Sequence, residues 1–207
     1  QTNDPTVSDV DKNGKNDIVY WSNLIILIEE FDKSKNSFDS IYSYYPAKNG
    51  LGGFSINDFD LDGKTDIVFG TVKGDVGVIE TQGEHQYQVV WQSKVETYNA
   101  YLHFWTNDID GNGKPEFWVG GDAFYNGVGI TRFTCFETNG NNSYVPIAKI
   151  DMIGIFSFFA GNCFAKDIDK DGKQELFICL DGIVLIFKFT GSINSHSYNL
   201  LFAKRRD

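Results

Sequence analysis

One nine-residue acidic pattern, occurring four times, constrains this chain more than any other feature. It reads "DFDLDGKTD" from Asp58, with relatives "DVDKNGKND" from Asp9, "DIDGNGKPE" from Asp108 and "DIDKDGKQE" from Asp167. Carboxylates this close together repel, and the repulsion opposes folding unless something positive sits among them. Each copy also runs straight into an apolar, β-type segment: "DIVYW", "DIVFG", "EFWVGG" and "ELFICL".

The copies begin at residues 9, 58, 108 and 167, an interval of roughly 50 residues that fits a supersecondary unit of four antiparallel strands. Further strand-like runs follow each copy, among them "LIILIEEF", "VGVIETQ", "GITRFTCFET" and "GIVLIFKFT", while "FSIN", "HFWTN" and "NCFAK" precede three of the loops. One unit therefore reads strand, acidic loop, strand, turn, strand, turn, strand. No segment shows helical periodicity. The predicted fold is all-β, a β-propeller segment of four-stranded antiparallel blades at about 1–48, 49–98, 99–155 and 156–207. A sandwich gives no reason for one loop to recur at near-constant spacing. An EF-hand requires flanking helices and a glutamate at its twelfth position; here that position holds Tyr20, Phe69, Val119 or Ile178, all strand-type residues.

The loop chemistry points to a hard divalent cation. Calcium takes six to eight oxygens, and loops of this kind supply them from side chains at the first, third, fifth and ninth positions and a carbonyl at the seventh. The candidate ligands are Asp9, Asp11, Asn13, Lys15 and Asp17 in copy one, and Asp58, Asp60, Asp62, Lys64 and Asp66 in copy two. Copy three offers Asp108, Asp110, Asn112, Lys114 and Glu116, and copy four Asp167, Asp169, Asp171, Lys173 and Glu175. Each lysine is expected to give its carbonyl while its ammonium extends into solvent. Gly14, Gly63, Gly113 and Gly172 hold the sixth position, where the chain must turn sharply. Up to four Ca²⁺ ions are expected, bound most tightly by copies two and four, which carry four carboxylates each. Magnesium demands stricter geometry, and zinc lacks its usual Cys and His ligands here.

The loops hold half of the 28 acidic residues, so four divalent ions would offset most of the formal charge of -10. That acidity disfavours nucleic acid or an anionic membrane surface as a partner. No membrane insertion is expected either, since no run of about 18 apolar residues occurs.

The DxDxDGxxD loops resemble those of the FG-GAP and VCBS repeats of integrin-alpha-like calcium-binding β-propellers. That resemblance covers essentially the whole chain and implies blades with Ca²⁺ bound between their first two strands, in an extracellular or cell-surface protein. "FG" is present at Phe69 and Gly70 and loosely in "GGFS" at Gly52 to Ser55, but no Gly-Ala-Pro follows, which places the chain nearer bacterial VCBS-type members. Such rings usually close with seven or eight blades, whereas four are counted here. The chain is thus a small four-bladed ring, half of an assembly of two copies, or a portion of a longer ring; the short stretch before Asp9 favours the last.

Outside the loops, His85, His103 and His196 lie in different repeats with no catalytic spacing to a Cys or Ser, and are expected to be structural or surface residues. Cys163 and Cys179 flank loop four symmetrically, so an unbulged hairpin would set them face to face, as a disulfide or as two packed thiols. Trp21, Trp91, Trp105, Trp118 and the cluster "IYSYYP" offer either blade packing or glycan-binding faces. The expected role is non-catalytic, adhesion or scaffolding with a protein or glycan ligand. A calcium-dependent polysaccharide lyase or other carbohydrate-active propeller is the alternative.

Overall fold

A computed structural model describes residues 5–22, 24–46, 51–157, 163–193 and 195–205. The expected boundary between residues 48 and 49 and the start of "NCFAK" lie outside them. Among the described residues, sixteen strands form four antiparallel sheets, each a simple meander of four consecutive strands. Sheet one comprises β1 (Thr6–Ser8), β2 (Asp17–Ser22), β3 (Ile25–Asp32) and β4 (Ser37–Tyr44). Sheet two comprises β5 (Leu51–Asn57), β6 (Asp66–Thr71), β7 (Asp75–Gly83) and β8 (Gln86–Lys94). In sheet three are β9 (Leu102–Thr106), β10 (Glu116–Tyr125), β11 (Val128–Gly140) and β12 (Ser143–Ile153). β13 (Phe164–Lys166), β14 (Glu175–Leu180), β15 (Ile183–Phe189) and β16 (Tyr198–Arg205) make sheet four. No helix occurs among the described residues.

The four sheets share even their irregularities. In each, the pairing of third and fourth strands shifts register at a corresponding place: Ile28/Glu29, Val78/Ile79, Cys135/Phe136 and Ile186/Phe187. A bulge of this kind bends the strand and increases its twist.

The sheets stack in chain order through three apolar junctions. Val19, Ile26 and Ile28 of sheet one meet Ile67, Phe69 and Ile79 of sheet two. The other face of sheet two, Val68, Val76 and Val78, packs on Phe117, Val119 and Phe136 of sheet three. Trp118, Phe133 and Cys135, on the far side of sheet three, meet Leu176, Ile178 and Phe187 of sheet four. Because residues alternate between faces along a strand, strands covered on both sides are buried throughout and strands covered on one side alternate. β6 is buried at every position, and so are the first eight residues of β10, whereas β2 and β14 alternate. Sheets one and four are therefore the two ends of the stack.

First strands of successive sheets adjoin, β5 with β9 and β9 with β13. Thr6, Ser55, Phe104 and Ala165, one from the first strand of each sheet, line a single cavity of about 390 Å³. The backbones come close at Gly70, where an added Cβ would lie 2.0 Å from the Ala100 carbonyl oxygen and 2.6 Å from His103 Nε2. Glycine is required there because any side chain would drive sheets two and three apart.

The cysteine expectation needs correcting. Phe164 pairs with Phe177 and Lys166 with Glu175, a register that places Cys163 one residue out of line with Cys179. Both are free thiols, and the Cys163 Sγ approaches the Cys179 carbonyl oxygen at 3.9 Å. Burial pushes the Cys163 thiol up to about 12.

Candidate metal centres

Each acidic loop joins the first and second strands of its sheet, and all four adopt one backbone. The fourth position is left-handed in every copy: Lys12 (φ 60°), Leu61 (φ 63°), Gly111 (φ 83°) and Lys170 (φ 61°). The sixth is the glycine, with φ between 88° and 91°. Those two reversals wrap the chain so that its own amides hold the ligand side chains. The glycine N–H donates to the first aspartate, at 2.9 Å for Asp9, 3.0 Å for Asp58, 2.7 Å for Asp108 and 3.0 Å for Asp167. The lysine N–H after it donates to the fifth side chain, Asn13, Asp62, Asn112 or Asp171, at 2.8 to 2.9 Å. Amides at the second position donate to the ninth carboxylate: Val10 to Asp17, Phe59 to Asp66, Ile109 to Glu116 and Ile168 to Glu175.

This wrapping gathers carboxylates. Ligand atoms of Asp9, Asp11 and Asp17 lie within 4.8 Å of one another, as do those of Asp58, Asp60 and Asp62, of Asp108, Asp110 and Glu116, and of Asp167, Asp169 and Glu175. Several of the oxygens have no protein partner. Asp9 Oδ1, Asp17 Oδ1, Asp58 Oδ1 and Asp66 Oδ1 are buried without a hydrogen bond, although Asp17 and Asp66 are almost wholly enclosed. Burial raises the Asp17 carboxyl, pushes Asp66 up to about 7 and pushes Glu116 up to about 8. A buried anion without a counter-charge costs several kcal/mol, and oxygen-only donor sets of this kind suit a hard cation such as Ca²⁺.

The third strand adds a residue that loop spacing does not reveal. Glu30 is the cross-strand partner of Asp17, Glu80 of Asp66 and Glu137 of Glu116. Like charges directly opposite across a ladder are destabilising, and Glu80 Oε2 is itself buried and unpartnered. Here the expected solvent-facing lysine ammoniums take a different course. Lys15 Nζ lies 2.6 Å from Glu30 Oε1, Lys64 Nζ 2.8 Å from Glu80 Oε1 and Lys114 Nζ 3.1 Å from Glu137 Oε1. Attraction to an otherwise unopposed glutamate bends them back over the loop, and the Lys15 hydrogen bond holds the Glu30 carboxyl down at about 2. In copy four the cross-strand partner of Glu175 is Lys188 instead.

A second group of unforeseen contacts ties loops one to three to the next sheet. The hairpin between its third and fourth strands reaches the aspartate at the third position of the preceding loop. His85 N–H donates to Asp11 Oδ2 at 2.8 Å, Asn142 N–H to Asp60 Oδ2 at 2.7 Å, and His196 Nε2 lies 3.0 Å from Asp110 Oδ2. His85 and Asn142 are left-handed turn residues (φ 56° and 54°), a conformation that aims the amide outward. The fourth strands of sheets two to four carry a tyrosine at or next to their first residue, and in sheet three the Tyr144 hydroxyl donates to Asp66 Oδ2 at 2.9 Å. Two of the three histidines thus serve the loops, while the ring of His103 meets the Ala100 carbonyl oxygen at 2.9 Å. These residues lie 74 to 86 positions from the aspartates they contact. The recurring Tyr87, Tyr144 and Tyr198 were the only trace of them in the sequence.

Residues 58–119 match the FG-GAP-like repeat family. This segment is an FG-GAP-like repeat. It runs from the first aspartate of loop two to just past loop three and holds both loops together with the Gly70 contact between sheets two and three. Among curated proteins, no sequence matches the chain.

Proposed function

We propose that the protein is a calcium-binding module of β-propeller type, its four sheets acting as blades, with a non-catalytic adhesion or scaffold role outside the cell or at its surface. The observation that carries this reading is the Asp66–Glu80 pair. Two acidic residues face each other across β6 and β7, each 1% exposed or less, and each keeps one buried oxygen without a partner. A Ca²⁺ ion held by Asp58, Asp60, Asp62, Asp66 and the Lys64 carbonyl would supply the missing charge and lock the hairpin. Equivalent ligands are Asp9, Asp11, Asn13, Asp17 and the Lys15 carbonyl in loop one, and Asp108, Asp110, Asn112, Glu116 and the Lys114 carbonyl in loop three.

Extracellular loops of moderate affinity, with Kd on the order of 10⁻⁴ to 10⁻³ M, are filled at extracellular calcium. The ligand is a protein or glycan. Supporting that choice, Tyr98, Phe124 and Phe156 form an exposed aromatic row at the end of the sheets opposite the acidic loops, with centroids 5.9 Å and 5.3 Å apart. The test is a calcium titration followed by isothermal calorimetry and thermal melting. Saturable heat with a rise in Tm, both weakened in Asp58→Ala, is the expected result; no heat and an unchanged Tm at millimolar calcium would overturn the reading.

A further inference from the structure

The four loops are alike in backbone, yet the fourth differs at the position facing its ninth ligand. Where sheets one to three place Glu30, Glu80 and Glu137, sheet four places Lys188, a reversal of two charges. Its ammonium lies 2.5 Å from Asp169 Oδ2, 2.6 Å from Asp171 Oδ2 and 3.5 Å from Glu175 Oε1. Three of the four candidate side-chain ligands of loop four therefore already share one positive charge.

Loop lysines of the first three copies do not play this part. Each is matched by a glutamate of its own on the third strand, so its charge is largely spent outside the ligand set, even where Lys64 also comes within 3.3 Å of Asp62. Lys188 has no such glutamate, and its side chain is only 22% exposed, against 38 to 52% for the three loop lysines. The loop-four counterpart of those lysines, Lys173, turns away, its ammonium 6.0 Å from the centroid of the Phe189 ring. The third position differs too: Asp11, Asp60 and Asp110 receive an N–H or imidazole from the following sheet, whereas Asp169 receives Lys188 of its own sheet.

We propose that Lys188 is the resident cation of the fourth loop, so that the chain takes three calcium ions and loop four is closed by its own ammonium. The inference rests on the calcium reading of the other loops. A divalent ion entering loop four would have to displace the ammonium or share carboxylates with it, and both weaken binding. Loop four then stays folded when calcium is withdrawn.

Native mass spectrometry and equilibrium dialysis of the full chain at millimolar calcium test this. Three ions per chain are expected for the natural sequence and four for Lys188→Glu, which restores the residue of the other sheets. A matched pair of ligand deletions supplies a readout independent of that variant's folding: Asp58→Ala should lower the count from three to two, and Asp167→Ala should leave it at three. Four ions in the natural chain, or a lost ion in Asp167→Ala, would overturn the proposal while leaving the calcium reading intact. No bound calcium in any form would overturn both.

Discussion

Loops one to three and loop four share a backbone but differ in what lies against them. The second-position side chains of the first three, Val10, Phe59 and Ile109, are at most 4% exposed because the next sheet covers them; Ile168 in loop four is 49% exposed. Sheets one to three oppose the ninth ligand with a glutamate and sheet four opposes it with Lys188, while Asp17, Asp66 and Glu175 each keep one buried oxygen without a hydrogen bond. Covering a loop removes the water that would otherwise solvate its carboxylates, so a covered loop needs a strong cation. A loop open to solvent is adequately served by one ammonium. Burial by a neighbouring sheet, more than the aspartate count, separates the two classes.

The largest effect that could break this contrast is chelation. With Kd on the order of 10⁻⁴ M, a site in about 1 mM calcium is filled at roughly ten times its Kd and stabilises the fold by about 1.4 kcal/mol. With three such sites and roughly 2 to 4 °C per kcal/mol for a chain of this size, EDTA should lower Tm by about 8 to 17 °C. Hydrogen exchange should show the loss concentrated in residues 9–17, 58–66 and 108–116. Equal loss of protection at 167–175 would erase the distinction between the loops.

Next in size is a test of covered against open sheet faces. Trp118 is fully buried between sheets three and four, stacked on Phe104 at 5.5 Å, whereas Phe202 on β16 is 46% exposed. In urea denaturation Trp118→Ala should cost about 3 to 5 kcal/mol and Phe202→Ala about 0.5 kcal/mol or less. Comparable losses would mean that the outer face of sheet four is also covered in solution.

A finer comparison sets two tyrosines in the same structural place against each other. The Tyr144 hydroxyl donates to Asp66, while the Tyr87 hydroxyl is buried without a partner. Tyr144→Phe should therefore cost about 1.5 to 3 kcal/mol, as for a hydrogen bond to a charged group, and Tyr87→Phe close to nothing. Similar values for the two would show that Tyr87 reaches Asp17 in solution.

The smallest expected effect is a pH dependence at the junction of sheets two and three. Burial lowers the His103 imidazole from 6.5 to about 4. Folding thus favours the neutral ring, and its contribution is fully present above pH 6.5 and is lost as pH falls toward 4. In EDTA, so that calcium release does not interfere, His103→Gln should flatten the stability profile between pH 6.5 and 4. An unchanged profile would assign that acid sensitivity to the carboxylates alone.

All-β architecture, four units, the nine-residue loops and their candidate ligands were legible in the sequence, because each is a local pattern. Positions one to nine of a loop lie on one short stretch of backbone, and the glycine and the alternating apolar strands announce themselves by spacing. The cross-strand partners were hidden because turns of different length separate them from the loop, so that Asp17 meets Glu30 but Glu116 meets Glu137. Register also decided the cysteines, since a shift of one residue takes Cys163 out of line with Cys179.

By itself, then, the sequence determined where carboxylates gather and which segments become strands. Only the tertiary structure decided which gatherings are shielded from water, which lysines answer them, and that Asp11, Asp60 and Asp110 are gripped from residues 74 to 86 positions away. The physical reason is one of range. Backbone turns and strand alternation act over a few residues, whereas the field at a carboxylate depends on every charge and every water molecule within about 10 Å, whatever its place in the chain.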